Sequence, residues 1–141
     1  MREILFRGKC KGNGVWVEGF YACFNKKESR IYTGYAETDD GYYYPEWFTV
    51  VPETVGQYTG LTDKNGNKIF EGDIVKCISK FDAKDMVVIF EAAEFHLVDC
   101  QRYKNYTECC GYRYFGTLET EVIGNIHDNP ELMEGLLWRK N

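Results

Sequence analysis

The most constraining feature of this chain is a series of turn signals, each lying between short segments of alternating apolar and polar residues. These signals are GNG at residues 12–14, NKKE at 25–28, TDDG at 38–41 and DKNGN at 63–67. Glycine and asparagine tolerate the positive φ angles that tight turns require. Alternation with a period of two is typical of half-buried strands. The pattern therefore predicts an all-β protein that folds as a small sandwich or barrel.

Local patterns assign several individual strands. The pair Asn13-Gly14 predicts a β-hairpin between the segments on either side of it. Pro45 interrupts an aromatic run and predicts an edge strand or a loop, because proline cannot donate to a β-ladder. Residues 86–90 (MVVIF) are apolar on both faces. They predict a central, fully buried strand.

The C-terminal part is predicted to contain one more hairpin and a short helix. Residues 112–118 and 121–126 would pair around a turn at Glu119 and Thr120. Asn129 is a good helix N-cap, and the proline that follows it suits the first helical position. Because so short a helix is marginal alone in water, we expect it to need a docking surface.

The charge of the chain is unevenly distributed. The net charge over 141 residues is −5, which argues against a mainly electrostatic nucleic-acid binder. Residues 1–30 contain seven Lys or Arg and three acids, a net charge of +4, whereas residues 31–60 contain five acids and no base. The two segments can complement each other within a sheet or across a subunit contact.

The N-terminus and the cysteines indicate the compartment. The first residues show no signal peptide, and no run of about 18 apolar residues predicts a transmembrane helix. We therefore expect a cytoplasmic protein of a bacterial host cell, with no membrane partner. In that compartment the six cysteines are reduced thiols.

Several blocks of sequence closely resemble the YopX-like family of phage and prophage proteins. These blocks are MREILFR at residues 1–7, PETVGQYTGL at 52–61, DKNG at 63–66, IFEGDIV at 69–75, EVIGNI at 121–126 and NPEL at 129–132. The resemblance implies an all-β fold with an SH3-like barrel and a phage or prophage origin. It implies no activity and supplies no catalytic residues, because the function of the family is unknown.

We therefore expect one compact all-β unit: a small SH3-like β-barrel with an additional N-terminal antiparallel sheet and a short C-terminal helix. Residues 1–52 would form the N-terminal sheet, residues 53–128 the barrel and residues 129–141 the helix.

The residues give little support to catalysis or metal binding. His96, Cys100, Cys109 and Cys110 have ligand chemistry, but they lack the Cys-x2-Cys spacing of a zinc site. Cys100 lies four residues from His96, too far along one strand for the direct contact that a nucleophile needs. Glu71 and Asp73 would share a strand face, yet acids near turns are by default solvated. We predict no catalytic residue, no metal and no cofactor.

An aromatic cluster is the strongest candidate for a binding surface. It comprises Tyr42, Tyr43, Tyr44 and Trp47, with Phe48 beside them. Strand alternation cannot bury all of these rings on one face. Either Tyr42, Tyr44 and Phe48 are core, or the cluster is exposed as a protein interface.

We predict a phage-encoded, non-enzymatic binding or assembly module that acts through protein–protein contacts. Its partners would be further copies of itself, in a homo-oligomer, and a host or phage protein. The alternative is an accessory protein that binds nucleic acid, a disfavoured partner, through a basic N-terminal face at Arg7, Lys9, Lys11 and Trp16. A third hypothesis is an enzyme, whose sign would be a pocket containing Glu71, Asp73 or His96 with perturbed pKa values.

Overall fold

The alternating segments form antiparallel strands in the computed structural model, which describes residues 2–80, 82–100, 103 and 119–134. The chain divides into two compact units, Met1–Tyr58 and Thr59–Asn141. The boundaries expected after residues 52 and 128 stay predictions.

The first unit is built on four strands and the beginning of a fifth. They are β1 (Phe6–Lys9), β2 (Trp16–Phe24), β3 (Glu28–Glu37), β4 (Tyr43–Val50) and β5 (Gly56–Thr62), preceded by a 3₁₀ turn at Pro52–Thr54. Their order in the sheet is β4-β3-β2-β1-β5. The hairpin predicted around Asn13-Gly14 is confirmed, since β1 pairs with β2 in antiparallel register and Gly14 has a φ of 70°.

The first sheet curls so that its first and fourth strands meet. Beyond the ends of the paired strands, Cys10 forms an antiparallel bridge with Val50. The inner face of the curl is lined by Ile31 and Val50, both fully buried, with small residues beside them. A side chain at Gly19 would collide with the backbone carbonyl of Tyr32, so this close approach of β2 and β3 requires glycine.

The hairpin of β3 and β4 extends beyond β2. The register of β2 with β3 ends at the pair Phe20 and Tyr32, whereas β3 and β4 stay paired out to Glu37 and Tyr43. Residues 33–46 therefore form a two-stranded arm, in which every residue except Ala36 is exposed. The prediction for Pro45 is confirmed, because β4 is an edge strand.

The second unit contains the rest of β5 and five further strands. These are β6 (Lys68–Phe70), β7 (Asp73–Ile78), β8 (Ala83–Glu91), β9 (Glu94–Asp99) and β10 (Glu119–Asn125), followed by the short helix α1 (Glu131–Glu134). The last four strands form an antiparallel sheet in the order β10-β7-β8-β9.

Apolar side chains cover both faces of this second sheet. On one face, Val75, Met86, Val88 and Leu97 form a cluster together with Ile69 and Cys77. On the other face, Ile74, Val87 and Cys100 are buried, and Leu132 and Met133 of α1 pack against them. The helix prediction and its docking are thus confirmed for Glu131–Glu134.

Two local predictions are wrong. Residues 86–90 lie in the central strand β8, but Phe90 is 48% exposed because it stands at the end of the strand, beside the turn at Ala92 and Ala93. Glu119 and Thr120 do not form a turn. They are strand residues that pair with Ile78 and Cys77, and the 112–118 partner strand lies outside the described residues.

The all-β prediction is confirmed, with two antiparallel sheets and one short helix over the described ranges. No closed barrel is seen in that part of the chain. It also contains no helix that is long and apolar enough to cross a membrane.

Candidate interaction surfaces of the first unit

The outer face of the first sheet brings cationic and aromatic side chains together. The register places Lys9 opposite Trp16, and directly opposite residues in antiparallel strands project from the same face. The guanidinium carbon of Arg7 lies 4.7 Å from the centroid of the Trp16 ring, and the ammonium group of Lys9 lies 5.9 Å from it. Both distances are within the range of cation–π attraction.

A second stack lies on the same face. The Arg30 guanidinium lies 3.8 Å from the Trp47 ring centroid and 4.6 Å from that of Phe24. Its Nη2 donates to Oε2 of Glu28 at 3.0 Å. This hydrogen bond raises the pKa of Arg30 and lowers that of Glu28. Arg30 therefore stays charged while its flat faces contact aromatic rings.

We call these six side chains the cationic–aromatic face: Arg7, Lys9, Trp16, Phe24, Arg30 and Trp47. Two neighbours extend it. Phe20 is paired with Tyr32 and is 71% exposed, and the Tyr32 ring lies 6.4 Å from the Trp47 ring between centroids. An exposed aromatic patch of this kind is typical of an interaction surface.

The arm carries the opposite charge. It displays four exposed tyrosines, and its acidic residues are not balanced by any Lys or Arg between residues 33 and 46. The tyrosines are Tyr35, Tyr42, Tyr43 and Tyr44, and the acids are Glu37, Asp39, Asp40 and Glu46. We call residues 33–46 the acidic tyrosine arm.

Local hydrogen bonds shape the tip and the base of the arm. At the tip, the backbone N–H of Thr38 donates to the carbonyl of Tyr42 at 2.8 Å, and the N–H of Tyr42 donates to Oγ1 of Thr38. At the base, the register shifts between Tyr32 and Gly34, and the Thr33 hydroxyl donates to Oε1 of Glu46 at 3.1 Å. The arm is therefore an ordered hairpin.

The structure separates the two sets of site residues predicted from the sequence. Tyr42, Tyr43 and Tyr44 lie on the arm and are exposed, so the interpretation of Tyr42, Tyr44 and Phe48 as core is wrong. Tyr42 and Tyr44 are exposed because the arm extends beyond β2, so within the described residues no third strand pairs with it. Phe48, which pairs with Ile31 next to the arm, is 36% exposed. Trp47 lies at the base of the arm and belongs to the cationic–aromatic face.

Of the four residues predicted for nucleic-acid binding, the structure brings three into contact and places the fourth, Lys11, in a neighbouring turn. Arg7, Lys9 and Trp16 are in contact, as described above. Lys11 lies in the turn after β1, where its backbone N–H donates to Thr49 and its charge contributes to the lowered pKa of Glu28. Sequence reasoning missed Phe20 and Phe24, although strict alternation along β2 would have placed both on the face of Trp16.

Each residue considered for catalysis and described by the structure has a distinct environment. Burial, together with the charges of Asp85 and Asp99, raises the pKa of the Cys100 thiol to about 12, so the thiol stays protonated. Nε2 of His96 lies 2.9 Å from the carbonyl oxygen of Glu91, and buried Asp73 accepts the N–H of Phe70 at 2.8 Å. Glu71 is half-buried.

The candidate metal ligands are described only in part. Within residues 2–80, 82–100, 103 and 119–134, no cluster of three or more His, Cys, Asp or Glu side chains could bind a metal ion. Cys109 and Cys110 lie outside these ranges.

Comparisons with known proteins identify a family and a similar solved structure. The family model described as "YopX protein" matches residues 5–134. A solved structure, protein EF1440 from Enterococcus faecalis, is similar over 94% of this chain and 99% of its own, with 24% identity and a TM-score of 0.58. This likeness concerns the fold alone. No curated protein matches the chain.

Proposed function

This chain belongs to the YopX protein family, and we propose that it is a phage- or prophage-encoded, non-enzymatic assembly module that acts through protein–protein contacts. In this proposal it works in the cytoplasm of the bacterial host, binds copies of itself first, and uses no cofactor. A host or phage protein would be a further partner. The observation that supports the proposal is the acidic tyrosine arm, an ordered hairpin whose aromatic side chains are exposed.

The exposed tyrosines of the arm favour its burial against a partner. A two-stranded hairpin is marginally stable in water, and Tyr35, Tyr42 and Tyr43 each expose more than 70% of their surface. Tyrosine is enriched at interface hot spots because it buries a large rigid ring and keeps its hydroxyl available for a hydrogen bond. Covering the arm with a partner would bury these rings and restrain the hairpin.

Light scattering coupled to gel filtration tests the proposal. We expect the chain at micromolar concentration to show a multiple of its 16.4 kDa mass. The variant Tyr35→Ser/Tyr43→Ser/Tyr44→Ser should return to the mass of one chain. The matched control is Phe90→Ser, which removes an exposed ring from the second unit. A wild-type mass of one chain, or an arm variant that assembles like the wild type, would overturn the proposal.

A second candidate function is nucleic-acid binding, and the cationic–aromatic face is the observation that favours it. Arg7, Lys9 and Trp16 lie together there, and aromatic rings beside cations suit single-stranded nucleic acids. Glu18 and Glu28 lie on the same face and oppose phosphate binding. Fluorescence anisotropy with labelled single-stranded DNA and RNA tests this candidate. Affinity should fall steeply with salt, and the absence of binding at low salt would remove it.

For the second unit we propose the SH3-like barrel that the family resemblance implies. Two observations support closure. Strands β5 to β10 all contribute side chains to one cluster around Val75 and Leu97. The backbone N–H of Lys64, in the turn after β5, donates to the carbonyl of Thr120 in β10 at 3.0 Å. A crystal structure in which β5 and β6 are hydrogen-bonded into the ring of β7 to β10 would test this fold.

A further inference from the structure

We propose that the acidic tyrosine arm of one copy docks onto the cationic–aromatic face of a second copy. This inference rests on the proposed self-association and names the two surfaces that carry it. The two surfaces differ, so a reciprocal exchange of arms would close a dimer, and a one-way arrangement would give a ring where its rotation closes and an open filament where it does not.

The charges of the two surfaces are complementary. Residues 33–46 contain four acids and no base, whereas the cationic–aromatic face carries three cations, Arg7, Lys9 and Arg30, against two acids, Glu18 and Glu28. The segment that supplies β1 and β2, residues 1–30, has a net charge of +4. Glu37, Asp39 and Asp40 are exposed, and none of them forms an ion pair within the described part of one chain. Their negative charge is therefore available to a second molecule, and complementary potentials steer association and fix its register.

Both surfaces also carry exposed aromatic side chains that could pack against each other. The register of β3 with β4 puts Tyr35 and Tyr43 on one side of the arm, two residues apart along the hairpin. The face offers the rings of Phe20 and Phe24, which are exposed. Arg30, stacked on Trp47, already donates to Glu28 through Nη2, so the face would attract the acids of the arm through its charge and not through an open guanidinium edge. Contacts between rings would form together with this attraction between opposite charges.

The backbone of the arm argues against a different mode of association. The outer edge of β4 could in principle extend a sheet by pairing with another strand. Pro45 is the third residue of β4 and has no N–H to donate, and the register of the hairpin shifts at its base between Tyr32 and Gly34. The arm is therefore suited to docking through its side chains.

Neither surface covers the other within one copy. Tyr35 and Tyr43 on the arm and Phe20 on the outer face are each more than 70% exposed. An intramolecular arrangement that satisfied the two surfaces would have buried these rings. The partner that this chemistry describes is a surface that is both basic and aromatic, and a second copy of the chain supplies one.

Charge reversal followed by mixing tests the docking. The arm variant is Asp39→Lys/Asp40→Lys. The face variant is Lys9→Glu/Lys11→Glu, which reverses the charge of Lys9 on the face and of Lys11 in the turn beside it. Lys80→Glu/Lys84→Glu in the second unit makes the same change of charge as the face variant and is its control. Sedimentation velocity should show self-association weakened at least about tenfold in the arm and face variants, and unchanged in the control. An equimolar mixture of the arm and face variants should assemble again, because opposite charges are restored across the contact.

The outcomes separate the docking from the proposed function. A wild-type protein that is monomeric overturns both. A wild type that assembles, with arm and face variants that assemble equally well, leaves self-association in place and overturns the docking. Two monomeric variants that fail to assemble on mixing also overturn it, since the two charged surfaces then do not meet each other. A face variant that assembles normally but loses binding to single-stranded DNA assigns the face to nucleic acid and overturns the docking.

Discussion

Asp63 fixes the turn between β5 and β6 and joins it to β10. Its Oδ1 accepts hydrogen bonds from the backbone N–H groups of Asn65 and Asn67. Its Oδ2 accepts one from the backbone N–H of Val122 and one from the side-chain amide of Asn67. The side chain is buried. Asp63, which belongs to the DKNG block, thus shapes its own turn and also contacts Val122, 59 residues away in sequence.

Replacing Asp63 with asparagine should destabilise the second unit. The amide group presents an NH₂ to the backbone N–H groups that the carboxylate now satisfies, so at least one buried donor loses its acceptor. The cost of such a loss is about 1–3 kcal/mol. Urea unfolding followed by circular dichroism measures it. Asp39→Asn, which removes an exposed carboxylate of the arm, is the control and should leave the free energy of unfolding unchanged; equal stability of the two variants would contradict the role of Asp63.

The same carboxylate should make stability depend on pH. Burial raises the pKa of Asp63, but the backbone hydrogen bonds from Val122, Asn67 and Asn65 outweigh it, and the pKa lies below its usual 3.8. A group whose pKa is lower in the folded state contributes stability above its unfolded pKa and loses it as the pH falls through the folded value. We expect the stability difference between wild type and Asp63→Asn to be constant at neutral pH and to shrink below pH 3.8. Urea titrations at a series of pH values would show this; a difference that grows towards acid would have the wrong sign.

At the scale of elements, the sequence predicted the features that depend on residues close together in the chain. The hairpin at Asn13-Gly14 follows from the φ angles that its turn needs, and the edge position of β4 follows from the missing N–H of Pro45. The curl of the first sheet could not be predicted, because the bridge from Cys10 to Val50 depends on pairing between residues 40 apart.

The candidate site was predictable only in part for a related reason. Strand alternation identifies a buried face only when something covers that face. The arm extends past β2, so the alternation of Tyr42, Tyr43 and Tyr44 carries no information about burial. The grouping of Arg30 with Phe24 and Trp47 joins three strands and requires the register of both hairpins.

Gly19 offers a test of the close approach of β2 and β3, the two neighbouring strands that carry part of the cationic–aromatic face. Gly19→Ala places a Cβ against the backbone carbonyl of Tyr32, so β2 and β3 must separate or shift. Overpacking of this kind costs about 1–3 kcal/mol. Gly12→Ala is the matched control, because a Cβ there meets nothing within 4 Å. Thermal unfolding should show a lower Tm for Gly19→Ala alone, and a Tm equal to that of the control would mean that the approach of the strands is not tight.

At the scale of the whole molecule, the arm and the cationic–aromatic face share one feature: both expose aromatic rings beside charges of a single prevailing sign. The second unit has two buried clusters on its sheet. In the proposed assembly, the first unit would therefore supply the contacts between copies.

Thiol labelling can follow each unit separately, because each contains a buried cysteine. Cys10 is buried in the first unit and Cys100 in the second, whereas Cys23 is exposed. With Cys109→Ser/Cys110→Ser as background, we expect a disulfide reagent at pH 8 to label Cys23 rapidly and the buried thiols only through unfolding. In the folded state Cys100 should resist direct labelling, since burial raises its thiol pKa to about 12 and only the thiolate reacts. Peptide mass spectrometry reads each site, and adding urea should accelerate Cys10 and Cys100 while leaving Cys23 nearly unchanged; rapid native labelling of Cys100 would show that the core around Ile74 and Val87 opens without global unfolding.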